Sequence, residues 1–320
     1  MKDINLFSGE KRWLKGNLHC HTNVSDGKRF PQEKAKIYKK LGYHFLAFTD
    51  HNIFNAKSFG EEEDFQLLPG VELNIEFKDR PGCYHIVGFG ARGEFDYAHG
   101  KTFTPPYCMD CREAQMVIDD INAHHGLAIV AHPVWCLTEL RDFENLTGYF
   151  ALEAYNHNCY FEGDSGYADF YWDNLLKRGR MIKAVAVDDS HDLHNDIGGG
   201  WVMVWAKKNS QDSIVEALRN GDFYSSAGPE IHSCMIHAGF LEITCSPAAY
   251  IHCIPSNRPG KTEFAEERPL TEARFDLKGL SGWVRAEVVD VFGKKAWTNA
   301  IILEYKGERY ATCNIGVPIA

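Results

Sequence analysis

Between Lys15 and Ser226 the chain repeats one pattern: a short apolar run, a polar turn, then a stretch of helical periodicity. The apolar runs are Phe45–Phe48 (FLAF), Gln66–Val71 (QLLPGV), Tyr84–Phe89 (YHIVGF), Leu127–Val130 (LAIV), Phe150–Ala154 (FALEA), Met181–Val187 (MIKAVAV) and Trp201–Trp205 (WVMVW). Runs that are apolar throughout suit strands buried on both faces, as in a parallel sheet covered by helices. Helical stretches fall at Gln32–Leu41, Arg112–His124, Ala168–Lys177 and Ser213–Arg219, the last stopped by Asn220-Gly221. So many strand–helix units exceed what an open sheet usually needs. The expected architecture is α/β, a closed or distorted (β/α) barrel.

After Gly228-Pro229 the pattern changes. Phe240–Cys245, Tyr250–Ile254, Ala273–Leu277, Trp283–Val289, Ala300–Tyr305 and Arg309–Cys313 follow one another with little helical periodicity, and Val284–Val291 (VRAEVVDV) alternates as a half-exposed strand does. The expected division is a barrel over residues 1–229 and a small all-β, sandwich-like domain over 230–320. A length of 320 residues accommodates two such units, and 44% hydrophobic with 24% charged residues excludes a disordered chain.

Charge narrows the partners. With 34 Lys+Arg against 44 Asp+Glu, the net charge of −10 argues against a surface that coats nucleic acid, though not against a site that takes one nucleotide. The first residues (MKDINLFSGEKRW) lack the apolar core of a secretory signal, and no run reaches the ~20 apolar residues of a membrane span. Ten cysteines scattered along the chain suit free thiols in a reducing compartment, so the expected location is the cytoplasm, without membrane partners. Cys108 and Cys111 have CxxC spacing but lack the second pair a zinc site of that type needs.

The chemistry lies at the ends of the apolar runs. Leu18-His19-Cys20-His21-Thr22 places two histidines at i and i+2, the same face of an extended segment. Asp26 follows in the turn Ser25-Asp26-Gly27; FLAF runs into Thr49-Asp50-His51-Asn52; QLLPGV ends in Glu72; His85 lies in YHIVGF; LAIVA ends in His132-Pro133; and MIKAVAV ends in Asp188-Asp189-Ser190-His191. In a barrel of parallel strands such ends converge on one rim. Imidazoles and acids gathered there, with no matching run of Lys or Arg, satisfy one another most economically through bound cations. Asp50 and Asp188, beside these residues, are candidates to orient imidazoles or, equally, solvated loop acids. Glu153 and Asn156 in LEAYN are candidate pocket residues. Trp135, Tyr155, Tyr160 and Tyr171 read as core packing before base stacking. Lys28, Arg29, Arg112, Arg178 and Lys183 read as surface charge before phosphate contacts.

The motifs LHCHT…SDG, TDHN, GVE, HIVGF, AHP and DDSH, in this order over about residues 13–229, resemble those of the PHP (polymerase and histidinol phosphatase) superfamily. The resemblance implies a distorted (β/α)7 barrel with two or three divalent metal ions, zinc, manganese or iron. It implies that His19, His21 and Asp189 hold one metal, that Glu72 bridges it to a second held by His85 and His132, and that Asp26, His51 and His191 hold a third. Asp26 stands where the family often has His, which changes the charge of that site. The tail (RAEVVDVFGKKAWTNAIIL) is similar to that of the carbaryl-hydrolase-like (CehA/McbA) branch.

The reaction this implies is hydrolysis of a phosphomonoester or phosphodiester by metal-activated hydroxide, with Asp189, His191 and Glu72 at its centre and a small phosphoester or nucleotide as substrate. Mixed histidine and carboxylate ligands leave zinc, manganese and iron open. No GxSxG elbow or Walker A loop offers a competing chemistry. A carbamate, ester or amide hydrolase using the same site is the alternative enzyme, and a metal-binding interaction module the alternative outside catalysis.

Overall fold

A computed structural model describes residues 1–55, 64–91, 111–193 and 195–303. Cys108, the end of the expected strand Ala300–Tyr305 and all of Arg309–Cys313 lie outside the described residues. Five α-helices are described: Pro31–Lys40, Arg112–Ala123, His157–Gly163, Asp169–Lys177 and Gln211–Asn220. Four of these match the helical stretches of the sequence to within a few residues. Pro31 opens the first, where a missing N–H costs nothing. The last is capped by Ser210, whose side chain accepts the Ser213 amide, and ends on Gly221 in the left-handed conformation. His157–Gly163 has no apolar periodicity and was not foreseen.

The strands form three sheets. One sheet of five runs Gly70–Glu76, Cys83–Phe89, Leu127–Val130, Ala151–Asn156, Lys183–Val187. A sheet of ten has the order Lys261–Phe264, Tyr250–Pro255, Trp283–Val289, Lys295–Thr298, Phe223–Ser226, Trp201–Ala206, Arg12–Asn17, Phe45–Ala47, Gln66–Leu68, with Ile301–Ile302 also paired to Trp283–Val289. Ile4–Asn5, Ile231–His237, Phe240–Ala248 and Leu270–Asp276 form the third.

The expected distorted (β/α)7 barrel is therefore corrected: the fold is mixed α/β, and among the described residues the strands do not close on themselves. The run QLLPGV is two strands rather than one. Pro69 interrupts it without an N–H to donate, and the halves join different sheets. Gly70–Glu76 then pairs antiparallel with Cys83–Phe89, because the few residues between them are far too short for a parallel crossover. Cys83–Phe89 is likewise antiparallel to Leu127–Val130, and Trp201–Ala206 is antiparallel to both its neighbours. Parallel pairing survives from Arg12–Asn17 through Phe45–Ala47 to Gln66–Leu68, and from Leu127–Val130 through Lys183–Val187. Apolar runs report burial on both faces, not strand direction.

Burial explains why these sheets hold together. Leu14, Phe45, Val202 and Val204 of the ten-stranded sheet share one core with Val87, Ile129, Val185 and Val187 of the five-stranded sheet. Helices Arg112–Ala123 and Asp169–Lys177 cover the other face of the five-stranded sheet through Ile118, Ile121, Trp172 and Leu175. Each such side chain, fully buried, contributes roughly 1.5–3 kcal/mol.

Beyond residue 230 every described element is a strand. Phe240–Ala248 and Tyr250–Pro255 alternate between buried and part-exposed positions, as strands with one face on a core must. The ten-stranded sheet nevertheless passes without interruption from one region of the chain to the other, through Tyr224 opposite Thr298. No helix among the described residues is long and apolar enough to cross a membrane.

Candidate metal centre

Backbone pairing outside the regular strands assembles the site. Cys20 bridges Ser190, with the His21 amide on the Ser190 carbonyl and the Asp189 amide on the His19 carbonyl (3.1 and 3.0 Å). His51 bridges Glu72 in the same way, and the Asn52 amide reaches the Glu72 carbonyl at 2.8 Å. The segments LHCHT, TDHN, GVE and DDSH are thus stitched side by side. Asp189 itself sits in the left-handed backbone region (φ +53°), an unusual place for a residue with a side chain that costs about 1–2 kcal/mol. Gly27 closes the Ser25-Asp26-Gly27 turn against His21, where a Cβ would lie 2.7 Å from the His21 backbone.

All nine residues singled out as metal ligands converge. Around Glu72 Oε2 stand His19 Nε2, His21 Nε2 and His51 Nδ1, each at 3.1 Å. Around Glu72 Oε1 stand His85 Nδ1 at 2.8 Å and His132 Nε2 at 3.1 Å. Asp189 Oδ1 is 3.1 Å from His19 Nε2 and 3.0 Å from His21 Nε2. Asp26 lies on the open side, half exposed, 3.5 to 3.7 Å from the ring nitrogens of His191, His51 and His21. Ligand atoms of His19, His21, Glu72 and Asp189 fall within 4.8 Å of one another; so do those of His21, Asp26, His51 and His191, and those of His51, Glu72 and His85.

This packing fits divalent cations. Glu72 Oε2 and Asp189 Oδ1 are buried and accept no hydrogen bond among the described residues. The Nε2 atoms of His19 and His21 face each other at 3.1 Å between them. Two carboxylate oxygens without donors and two opposed imidazole nitrogens are costly when buried, unless a cation accepts all four lone pairs.

The clustered acids and imidazoles also shift one another's protonation. Burial disfavours the ionised carboxyl of Glu72, yet the imidazoles of His19, His85 and His51 hold it well below the usual carboxylate range. Asp189 is likewise held down against its burial by His19 and His21. Burial would lower His85, but the Glu72 carboxylate lifts it to about 10. Against the same burial, Asp26 and Asp189 lift His191 to about 9. For His51, burial wins and lowers it to about 4.

The candidate supporting residues separate by what they touch. Glu153 is fully buried; its Oε1 is 2.7 Å from His19 Nδ1, and its Oε2 accepts the His132 amide at 2.9 Å. Asn156 donates to Glu153 Oε2 and Asp189 Oδ2 (2.9 and 3.1 Å), while its carbonyl oxygen caps the helix His157–Gly163. Asp50 and Asp188 are buried rather than solvated, and both hold backbone. Asp50 accepts from the Thr22 amide and hydroxyl and from the Ser25 hydroxyl (2.8, 3.0 and 3.0 Å). Asp188 accepts the amides of Gly198, Gly199 and Gly200 and the Tyr38 hydroxyl.

Trp135 is corrected from a core residue to a rim residue. It is 43% exposed, with its ring 5.5 Å from that of His85 and 5.2 Å from that of His132. Tyr155 is core and Tyr160 is exposed. Among the candidate phosphate contacts, Arg29 pairs with Asp192 and Arg178 with Glu144. Sequence reasoning missed buried Lys34, whose Nζ ties Ser190 to Asp192 below the DDSH segment. A lysine within the apolar stripe of a helix was its only signal.

No family model matches the chain. Over 91 residues, 27% of this chain, it is 34% identical to a 5′-3′ exoribonuclease of Haemophilus influenzae, covering 31% of that protein. Over 78 residues, 23% of this chain, it is 30% identical to a phosphoribosyl 1,2-cyclic phosphate 1,2-diphosphodiesterase of Eggerthella lenta, covering 30% of it. The chain thus spans just under a third of the length of these curated relatives. Among solved structures, a two-domain protein of Bacteroides vulgatus containing a predicted PHP-like metal-dependent phosphoesterase overlays 91% of this chain and 96% of its own, at a TM-score of 0.48 and 14% identity.

Proposed function

We propose that this chain is a metal-dependent phosphoesterase of the PHP superfamily, hydrolysing a small phosphomonoester or phosphodiester, nucleotides included. The observation that carries the reading is the pair of buried carboxylate oxygens, Glu72 Oε2 and Asp189 Oδ1, left without hydrogen bonds amid converging imidazoles. The two curated relatives, both acting on phosphodiesters by name, support the same chemistry.

In this reading His19, His21, Glu72 and Asp189 hold one divalent ion; Glu72, His85 and His132 hold a second; and Asp26, His51 and His191 hold a third. Such ions supply Lewis acidity toward a phosphoryl oxygen and lower the pKa of water. The chain supplies the rest. Glu153 fixes which nitrogen of His19 faces the cluster, and Asn156 holds the outer oxygen of Asp189. Asp26 and His191 stand at the open side, where substrate enters and a proton can be exchanged. Trp135 gives the rim an apolar wall. Residues 1–229 carry the chemistry, and the strands beyond buttress it through Arg285, whose guanidinium clamps Asp173 on the helix Asp169–Lys177 (2.8 and 3.0 Å).

The test pairs elemental analysis with a substrate panel of nucleotides, cyclic phosphates, phosphomonoesters, carbamates and esters, each with manganese or zinc. Two or three metals per chain with release of phosphate or a phosphomonoester, abolished by His19→Ala and by Asp189→Ala, is the expected result. Turnover of carbamates or esters alone would move the chemistry to a carbonyl carbon, as the carbaryl-hydrolase-like tail allows. A chain that takes up no metal would overturn the reading.

A further inference from the structure

Behind two of these imidazoles lies a pair of thiols that the hydrolytic reading does not use. Cys83 and Cys136 are both buried, and their sulfurs are 3.4 Å apart. The Cys83 amide donates to the Cys136 carbonyl at 3.1 Å, so the backbone itself holds the two residues side by side. A disulfide needs about 2.05 Å between sulfurs, and these two begin in contact on backbones already bonded side by side.

Each thiol is tied to one histidine of the cluster. Cys136 lies one turn beyond His132, its amide on the His132 carbonyl, and its sulfur is 3.4 Å from His132 Nδ1. His132 Nε2 meanwhile faces Glu72. Cys83 lies two residues before His85 on one strand, hence on the same face, and the two sulfurs and a His85 ring nitrogen fall within 4.8 Å of one another. The described cysteines are all free, and no other pair among them shows both a sulfur–sulfur contact and a contact to a cluster histidine.

We propose that Cys83 and Cys136 form a redox modification site, closing to a disulfide under a small peroxide and thereby weakening metal binding at His85 and His132. In the balanced step, one thiol is oxidised by hydrogen peroxide to a sulfenic acid with release of one water. The second thiol then displaces the sulfenic oxygen as another water, and the S–S bond forms. Two thiols are oxidised, one peroxide is reduced, and no charge is left behind. A small oxidant is required because Cys83 is only 5% exposed and Cys136 only 1%.

The consequence for the metal follows from hydrogen bonding. His132 can present the Nε2 lone pair to a cation only if Nδ1 carries the proton, and the Cys136 sulfur is the acceptor of that N–H. On closing to a disulfide the Cys136 sulfur is drawn toward Cys83 and away from His132. The Nδ1–H is then buried without its partner, and His132 is free to turn. Loss of such an outer partner typically costs about 10–100-fold in metal affinity. This coupling rests on the ligand roles proposed for His85 and His132; the disulfide itself does not.

The experiment treats the full chain, metal-stripped and metal-loaded, with hydrogen peroxide, then maps disulfides by mass spectrometry of non-reduced digests and titrates zinc and manganese by calorimetry. Expected is a Cys83–Cys136 cross-linked peptide, removed by dithiothreitol, with at least about tenfold weaker binding at one metal site. In Cys83→Ser the peptide is absent and metal affinity no longer responds to peroxide, although the Cys136 sulfur still faces His132. Absence of the cross-linked peptide in the wild type, with both thiols still titratable after unfolding, would overturn the modification site. A cross-link that leaves metal affinity unchanged would overturn the coupling. Neither readout uses phosphoester turnover, so a wrong substrate class cannot be mistaken for failure here.

Discussion

Glu153 Oε1 stands 2.7 Å from His19 Nδ1, joining residues 134 positions apart in the chain, and both side chains are wholly buried. The contact fixes which nitrogen of His19 faces Glu72 and Asp189, so the cluster is preorganised from behind.

Glu153→Ala is expected to leave the fold intact and to weaken metal binding by about 10–100-fold, because His19 loses the partner that sets its tautomer. Calorimetric titration with zinc, alongside circular dichroism, reads both parts. Unchanged affinity would mean that packing alone orients His19.

Metal loading should release protons. In the metal-free chain His85 is lifted to about 10 and His191 to about 9, chiefly by Glu72 and Asp26 working against burial, whereas a bound ion needs neutral imidazoles. Against its burial, Asp189, Glu72 and Glu153 also lift His19 well above its ordinary value, so at pH 7 about three protons should leave per chain, read as a calorimetric enthalpy that varies with the ionisation heat of the buffer. An enthalpy independent of the buffer would refute it.

The same groups set the acid and alkaline limits of the metal-free protein. The folded values of His85 and His191 lie above the ordinary 6.5, so their stabilisation is complete below that pH and disappears as pH rises through 9 to 10. Glu72 and Asp189 are held below the ordinary 4.5 and 3.8, so their stabilisation is present above those values and is lost in acid. Urea midpoints of the metal-stripped chain should peak between about pH 5 and 6.5 and decline toward pH 10. A midpoint still rising above pH 8 would contradict these assignments.

Asp188→Ala would leave the amides of Gly198, Gly199 and Gly200 without their acceptor, while the Tyr38 hydroxyl keeps Ser190. At about 1–3 kcal/mol for each buried unsatisfied group, a loss of at least about 3 kcal/mol is expected in urea denaturation. A change under about 1 kcal/mol would show that water replaces the carboxylate.

Arg285→Ala removes the clamp on Asp173 and leaves Glu287 with Lys295 alone, at 3.2 Å. Because Asp173 is partly exposed and Glu287 keeps Lys295, the loss is that of charge-assisted hydrogen bonds, about 1.5–3 kcal/mol. Differential scanning calorimetry should show the strand-rich region melting ahead of the rest; one unshifted transition would show that the continuous sheet, not the ion pair, joins the two regions.

The convergence of the nine candidate ligands was legible in the sequence because local rules place them. The i, i+2 spacing of His19 and His21 puts both rings on one face of an extended segment, and buried apolar runs that end in Glu72, His132 or Asp189 put ligand atoms at strand ends whatever the strand direction. The end of the last helix followed from Gly221, which acts on its own neighbours. Tertiary structure decided what depends on partners distant in the chain. Whether a buried strand pairs parallel or antiparallel leaves no mark on its composition, so the hairpin of Gly70–Glu76 with Cys83–Phe89 and the open sheets appeared only with the fold. For the same reason Asp50 and Asp188, adjacent to ligands in sequence, hold backbone amides, while Glu153 holds the imidazole. A carboxylate's role is fixed by the donor it meets in space, and a run of sequence states only its neighbours along the chain.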